Sequence, residues 1–428
     1  MDRAVISRNL VLPVFAGLVW ALGATPTAAV PTGAAATGAA PTAAAVAGPA
    51  FGATASGAAV AGPALGAARA ADTLYAGARM PDANYWVFVA NESSDLVSLV
   101  RFGPDGAALE DDLQVGIMPA DLDGAHGVRV SPDGRRVLVS LAHGTPFGKL
   151  WSYDTANGEL ADSVSVGLFP ATIGVTPDGG MGFVVNFNLH GNPVPSSVSA
   201  IFLPEMVEMA RIETCIKPHG SRVNNAGTRH YSVCVGDDHL VEISVERLKV
   251  RRAVKLTPGS ERVLAGLGGL GEASSGGEGG PVCGPTWATP SFDDKHVYVA
   301  CNKHGDVLEL NAEDLTVTRR LEAGKGPYNL DVTSDGRLLL ATNKGAQSVS
   351  IFDLGTGEEL ARVPTTQPIT HGVVVSSDDR YAFVSNEAIG ATRGTIDVID
   401  LESLQLVAST EVHHQPGGID FWRSEPAK

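Results

Sequence analysis

Residues 333–343 read TSDGRLLLATN, and residues 376–386 read SSDDRYAFVSN. In both stretches a four-residue turn containing Asp precedes a short apolar segment that ends in Asn. Asp supplies a side-chain acceptor and Gly tolerates an unusual backbone conformation, so these residues favour a tight turn between two strands. The unit recurs about every 45 residues, which indicates a repeat protein built from β-hairpins.

Each repeat has the pattern of four short strands, which is typical of one β-propeller blade. First strands are predicted to begin near residues 126, 171, 219, 285, 327, 371 and 417. The N-terminal repeat has the later strands of a blade but no first strand. The C-terminal repeat has a first strand and no later strands. We therefore predict an all-β, seven-bladed propeller whose ring closes when the C-terminal strand joins the N-terminal blade. An eighth blade would have to lie within residues 257–284.

The N-terminal part of the chain has a different composition. Residues 10–24 read LVLPVFAGLVWALGA after a basic start, which predicts a signal peptide over residues 1–29, with an uncleaved anchor as the alternative. Residues 30–72 are rich in Ala, Gly, Pro and Thr and predict a disordered linker. The propeller is predicted over residues 73–428, with a Gly-rich insertion at 257–282. We expect an exported protein, periplasmic or extracellular.

The charge balance limits the partners. Asp and Glu number 47 against 31 Lys and Arg, so the net charge is -16. The resulting field disfavours nucleic acid and anionic membrane surfaces and favours cations. We expect no nucleic acid partner and no membrane contact beyond export. We expect a monomer. Its predicted partner is a metal ion, a small molecule or another exported protein.

Four cysteines lie at nearly the same two places in neighbouring repeats. Their separations of 19 and 18 residues predict disulfides between Cys215 and Cys234 and between Cys283 and Cys301, each within one blade. An exported protein permits such bonds, although four cysteines allow three pairings. A zinc site of all four is the alternative, but the C-x-x-C spacing is absent. We expect neither haem nor nucleotide.

Aligning the repeats on their turns places one residue of each first strand closest to the axis. These residues are His126, Ala171, His219, Thr286, Tyr328, His371 and Gly417. Each of the three histidines precedes a glycine, which leaves room beside the ring. Converging imidazoles predict a transition-metal site, for zinc or copper. The alternative is that each histidine only hydrogen-bonds to neighbouring backbone.

The loops that follow the second strands reach the same face of the ring, called here the upper face. Among them, His143 and His304 are predicted as outer ligands. The acidic residues of these loops, predicted as further ligands or hydrogen-bond acceptors, are Glu92, Asp237, Asp238 and Glu387. His230 and His296 start second strands and are predicted on the opposite, lower face.

A second set of polar residues lies three positions further along the first strands. Arg129 and Arg222 follow two of the histidines at this spacing, and Asp331 and Asp420 hold the same place in other repeats. The pattern predicts ion pairs that brace the channel. An anion-binding funnel is the alternative.

The Asn residues that end second strands, Asn302, Asn343 and Asn386, resemble those of the YVTN-type β-propeller repeat over about residues 80–425. That superfamily includes lactonases, surface-layer proteins and the propeller of nitrous oxide reductase, so the resemblance implies the fold and leaves the function open. The segment 218–220, Pro-His-Gly, is similar to the start of an inner strand in the lactonases. This likeness implies a lactonase-like hydrolase with His219 as general base. A non-catalytic interaction scaffold is the third hypothesis.

Overall fold

A computed structural model describes residues 73–75, 79–116, 121–143, 147–265 and 282–427. These residues form seven antiparallel sheets, so the predicted all-β, seven-bladed propeller is confirmed. The predicted signal peptide and the whole of the predicted linker lie outside the described residues, as does most of the Gly-rich insertion.

The strands follow the chain blade by blade. A short strand β1 (Thr73–Leu74) precedes β2 (Ala83–Asn91), β3 (Leu96–Gly103) and β4 (Gly106–Gln114) of blade one. Blade two contains β5 (Ala125–Val130), β6 (Arg136–Leu141), β7 (Lys149–Asp154) and β8 (Leu160–Ser165), and blade three contains β9 (Pro170–Val175), β10 (Met181–Asn186), β11 (Pro195–Phe202) and β12 (Val207–Ile216). Short 3-10 helices occupy Glu92–Ser94 and Leu203–Glu205.

The remaining blades repeat this order. Blade four contains β13 (Pro218–Val223), β14 (Arg229–Cys234), β15 (His239–Ser244), β16 (Lys249–Lys255) and β17 (Arg262–Ala265), and blade five contains β18 (Pro285–Pro290), β19 (His296–Cys301), β20 (Asp306–Asn311) and β21 (Val317–Glu322). Blade six contains β22 (Pro327–Val332), β23 (Leu338–Asn343), β24 (Ser348–Asp353) and β25 (Glu359–Pro364). Blade seven contains β26 (Ile369–Val375), β27 (Tyr381–Glu387), β28 (Thr395–Asp400) and β29 (Gln405–Glu411), and β30 (Pro416–Pro426) is the last strand.

The predicted turns join the first two strands of each blade through side-chain hydrogen bonds. In blade two, the Ser131 hydroxyl donates to Asp133 Oδ1 at 2.6 Å, and the same oxygen accepts from the Arg135 amide at 3.0 Å. The hydroxyl also accepts from the amide of Arg136, which starts β6. Equivalent Ser/Thr–Asp pairs lie at residues 176/178, 291/293, 333/335 and 376/378. The local sequence therefore sets the hairpin and its register.

The Asn at the end of a second strand is buried and ties that strand to the third. Asn343 Nδ2 donates to the hydroxyls of Ser350 and Ser348 at 2.9 and 3.2 Å. Asn91 and Asn186 make the same kind of bond in blades one and three. A buried amide needs such partners, because an unpaired polar group is costly away from water. The repeated Asn is thus explained by packing inside the blade in blades one, three and six, whereas Asn302 of blade five is half-buried and donates to the Pro327 carbonyl of blade six.

Ring closure occurs as predicted. The C-terminal strand β30 pairs with β2 as the innermost strand of blade one, with Val89 opposite Ile419 and Val87 opposite Phe421. At the outer edge of blade seven, β1 pairs with β29. The eighth-blade alternative is wrong for the described residues, because β17 pairs with β16 as a fifth strand of blade four.

Both predicted disulfides are present. The expectation that each lies within one blade is wrong for the first pair. Cys215 belongs to β12, the outermost strand of blade three, whereas Cys234 ends β14 of blade four. The reason is the length of β12, whose ten residues continue almost to the start of β13. This disulfide therefore links two neighbouring blades.

Truncation tests the closure. Removing residues 415–428 deletes β30 and exposes the edge of β2. Burying Ile419 and Phe421 contributes about 1.5–3 kcal/mol each, and further contacts are lost, so we expect the melting temperature to fall by about 10 °C or more. Thermal unfolding followed by circular dichroism measures this change. Removing only residues 427–428 is the control, and equal melting of the two truncated proteins would contradict a closing role for β30.

Candidate functional site

The seven residues predicted nearest the axis all lie at the start of innermost strands and are called here the mouth ring. Its members are His126, Ala171, His219, Thr286, Tyr328, His371 and Gly417. The rings of His126 and His219 are 6.0 Å apart between centroids. The Tyr328 ring lies between those of His219 and His371, with centroid distances of 5.7 Å and 4.6 Å. The structure therefore brings the three predicted histidines together, with Tyr328 among them.

Hydrogen bonds from the first or second strand of one blade to the mouth-ring strand of the next are present at six of the seven junctions among the described residues. The Ser140 hydroxyl donates to the Ala171 carbonyl at 2.6 Å, and the Thr172 hydroxyl donates to the His219 carbonyl at 2.6 Å. The same bond joins Thr286 to Tyr328, Thr342 to His371 and Ser385 to Gly417. Between blades four and five an imidazole replaces the hydroxyl, because His219 Nδ1 lies 3.0 Å from the Thr286 carbonyl. His219 thus contributes to the ring itself, as the alternative hypothesis expected.

The glycine after each histidine has a steric reason. A side chain at Gly127 would overlap the Ala171 carbonyl oxygen, and one at Gly220 would overlap the Thr286 carbonyl oxygen. The innermost strands approach so closely here that only a residue without Cβ fits.

Glu92 holds two of the predicted histidines. Its carboxylate lies 2.7 Å from His126 Nδ1 and 3.1 Å from His143 Nε2. Burial alone would raise the pKa of Glu92, but the charge and hydrogen bonds of the two imidazoles outweigh it and hold the pKa far below its usual range. The hydrogen bond that His143 donates to Glu92 raises the pKa of His143. Glu92 is therefore an anion that orients both imidazoles.

The other two mouth-ring histidines are buried and neutral at pH 7. Burial lowers the pKa of His219 to about 3, and burial together with the nearby Lys344 charge lowers that of His371 well below its ordinary value. His219 can reach the Thr286 carbonyl only by donating Nδ1–H, which leaves a lone pair on Nε2, 3.4 Å from the Tyr328 hydroxyl. In the part of the chain that the structure describes, Nδ1 of His371 has no hydrogen-bond partner.

Glu387 and Lys344 complete the upper end of the axis. Glu387 Oε1 lies 3.0 Å from Lys344 Nζ and 3.5 Å from His371 Nε2. The same ammonium lies 4.4 Å from the ring centroid of Tyr328. Burial would lower the pKa of Lys344, but Tyr328 and Glu387 outweigh it and raise the pKa. The mouth thus combines neutral imidazoles with two carboxylates and one ammonium.

Three other predicted site residues have local partners away from this cluster. His304 Nδ1 lies 2.9 Å from Asp306, beside a cleft between blades five and six. Asp238 accepts hydrogen bonds from the Val282, Cys283 and Gly284 amides and so fixes the chain before β18. Asp237 accepts from the Ile216 amide. These two aspartates therefore have clear structural roles.

One group of three potential ligand atoms within 4.8 Å occurs in the described residues, namely Cys215, Cys234 and Asp237. The two sulfurs are joined in a disulfide and are not thiolates. A metal ion needs the thiolate form, so the group does not fit a metal centre.

Known structures support the fold. The hydrazine synthase of Kuenenia stuttgartiensis is 18% identical, with a TM-score of 0.53 over 67% of this chain and 81% of that chain. A functionally unknown protein from Desulfotomaculum acetoxidans is 14% identical, with a TM-score of 0.59 over 79% of this chain and 98% of that chain. The similarity is one of fold. No protein-family model and no curated protein matches the chain.

The disulfides indicate an oxidising environment. None of the described helices is long and apolar enough to cross a membrane.

Acid stability tests the buried neutral histidines. His230 is a third such group: burial lowers its pKa to about 3 from an ordinary 6.5, and its ring stacks on Phe183 with 4.9 Å between centroids. The unfolded chain binds a proton on this side chain below about pH 6.5 and the folded chain does not. Stability is therefore complete above pH 6.5 and falls as the pH drops towards 3.

Urea unfolding at pH 7, 6, 5 and 4 measures this loss. We expect His230→Leu to reduce the pH dependence by up to about 1.4 kcal/mol per pH unit. His296→Leu, at the start of the equivalent strand of blade five, is the control. An unchanged slope in His230→Leu would show that His230 is protonated in the folded protein.

Proposed function

We propose that the mouth ring binds a transition-metal ion, with zinc and copper as the first candidates. The observation that carries this proposal is the way the histidines are held. In His126, Nδ1 is hydrogen-bonded to the carboxylate of Glu92, and in His219, Nδ1 is hydrogen-bonded to the backbone carbonyl of Thr286. In His371, Nε2 lies 3.5 Å from the carboxylate of Glu387. Metal-binding histidines use one nitrogen in this way, which orients the ring and frees the other nitrogen for the ion.

The charges near the ring also favour a cation. Glu92 and Glu387 place two carboxylates beside the ring, and the ammonium of Lys344 is paired with Glu387. The overall charge of -16 acts in the same direction. The free imidazole nitrogens donate electron pairs, so the ligand has to accept them. A metal ion does so, as would a small molecule with N–H or O–H groups.

The spacing sets the expected affinity. Among the described residues, the three histidines do not place three ligand atoms within 4.8 Å of one another. Coordination by all of them requires at least one ring to turn. Because a site that must rearrange loses affinity, we expect a dissociation constant of about 1 µM.

Titration of the chelator-free full chain with zinc and copper tests the proposal. We expect one equivalent to bind, and His126→Ala and His371→Ala to weaken binding at least tenfold. Glu92→Gln should weaken it by about 10–100-fold, because Glu92 positions His126 without being required as a ligand. Calorimetry and elemental analysis provide the measurements.

His296→Ala, on the lower face, is the matched control, and circular dichroism checks folding of each variant. His304→Ala should also bind normally, because His304 pairs with Asp306 and, among the described residues, makes no hydrogen bond or ring contact with the three mouth-ring histidines. No bound ion, or equal weakening in His296→Ala, would overturn the metal site.

A lactonase-like hydrolase is the second candidate, within the YVTN-type group that the repeated Asn residues support. The observation that favours it is the neutral imidazole of His219, because a neutral imidazole can take a proton from water. Its Nε2 lies 3.4 Å from the Tyr328 hydroxyl. On this hypothesis the chain acts outside the cytoplasm.

Hydrolysis of γ-butyrolactone, followed by acid release, tests the second candidate. We expect Tyr328→Phe to slow turnover at least tenfold and His296→Ala to leave it unchanged. A rate equal to that of buffer would exclude this activity. Absence of both turnover and metal binding would favour the interaction scaffold.

A further inference from the structure

The lower end of the axis has a second ring, three residues after each mouth-ring position. Its members are Arg129, Gly174, Arg222, Thr289, Asp331, Val374 and Asp420. All except Gly174 line a cavity of about 380 Å³ on the side of the hairpin turns. The cavity lies on the lower face, away from the proposed metal site.

The two carboxylates of this second ring, called here the lower ring, both accept hydrogen bonds from neighbouring groups. Asp420 Oδ1 accepts from Arg129 at 3.0 Å, and its Oδ2 accepts from the Val130 amide at 2.7 Å. Asp331 accepts from two backbone amides, those of Val332 and Val375. The predicted bracing ion pair therefore forms once, between Arg129 and Asp420.

Arg222 forms no ion pair among the described residues, and Asp331 and Asp420 of the same ring attract its charge only from a distance. Its guanidinium donates one hydrogen bond, from Nη1 to the Ser221 carbonyl at 3.0 Å. It also lies over the Trp287 ring, 4.7 Å from the ring centroid. Burial, reinforced by the charge of Arg129, lowers the pKa of Arg222 to about 10, so the side chain stays positive at neutral pH. A half-buried guanidinium without a directly bonded carboxylate leaves most of its donors unpaired.

We propose that the lower cavity binds a small oxyanion, a carboxylate or phosphate group, held by the guanidinium of Arg222. A guanidinium offers five N–H donors in a planar fork, and that fork matches two oxygens of one anion. In Arg222 most of these donors remain unused. Two arginines face the cavity, and only Arg129 forms an ion pair with a carboxylate. A third carboxylate of the lining, Asp379, accepts hydrogen bonds from Ser334 and from the Asp335 amide. The Trp287 ring packs against the Arg222 guanidinium and fixes its position.

Trp287 supplies the readout, because its ring is in contact with the proposed anchor. The full chain is titrated separately with inorganic phosphate, acetate and chloride at constant ionic strength, and tryptophan fluorescence and melting temperature are followed. We expect saturable changes with phosphate or acetate at millimolar concentration or below, and none with chloride. Saturation by phosphate alone or by acetate alone identifies which oxyanion the site prefers.

Three variants locate the binding. Arg222→Met should abolish the saturable change, and Arg222→Lys, which keeps the charge but loses the fork, should weaken binding at least fivefold. Trp287→Phe should reduce the fluorescence change, to which Trp422 of the cavity lining also contributes, while the anion still raises the melting temperature. Arg247→Met, at an exposed turn between β15 and β16, is the charge-matched control and should behave like the unmodified protein.

Two results would overturn the proposal. One is an equal response to chloride, which would indicate general screening of charge. The other is a phosphate or acetate response that survives in Arg222→Met or is lost equally in Arg247→Met. Arg222→Lys keeps the test decisive if Arg222→Met fails to fold.

Discussion

The close approach of seven innermost strands at the mouth ring is the constraint on which the rest of this protein depends. Hydroxyl groups on one strand donate to the carbonyl of the next, as Ser140 does to Ala171 and Thr342 does to His371. These bonds give hydrogen-bond donors from the neighbouring blade to buried backbone carbonyls, which buried backbone requires. The same crowding demands the glycines after the histidines and fixes the positions of the side chains around the channel.

That constraint acts on the backbone and leaves the mouth-ring side chains free to vary. Histidine, alanine, threonine, tyrosine and glycine all occur there. A position whose backbone role is fixed, but whose side chain can vary, can carry ligand-binding or catalytic groups. His219 combines both roles, because its Nδ1 replaces a hydroxyl at the junction with blade five while its Nε2 remains available. A defect in a His219 variant therefore mixes structure with function. His126 and His371, whose side chains make no such bond, are the cleaner reporters.

The fold could be predicted because its signals are local in the sequence. The partners of the site residues could not, because those contacts join residues that are far apart in the sequence. The Asp-containing turns and the strand-ending Asn residues each act within about ten residues, so repetition alone identified seven blades and aligned the mouth ring. Glu92 and His126 lie in neighbouring blades, 34 residues apart, so no pattern within one repeat signals their contact. Arg222 forms no ion pair with Asp331, whose carboxylate accepts from the Val375 amide 44 residues further along. The blade of Cys215 could not be predicted, because the end of an outer strand carries no turn signal.

The two ends of the axis differ in chemistry, and the difference follows from one strand geometry. Successive side chains of a strand alternate sides, but the register of the innermost strands shifts beside the mouth-ring position, so that positions three residues apart both reach the axis, at opposite ends. Imidazoles and carboxylates collect above, and an unpaired guanidinium remains below. Trp287 lies between them, 6.2 Å from the His219 ring and 4.7 Å from Arg222. A cation above and an anion below would attract each other across this apolar layer more strongly than in water, because the dielectric there is low. Occupation of one proposed site should therefore strengthen binding at the other, and by thermodynamic linkage the effect has to be equal in both directions.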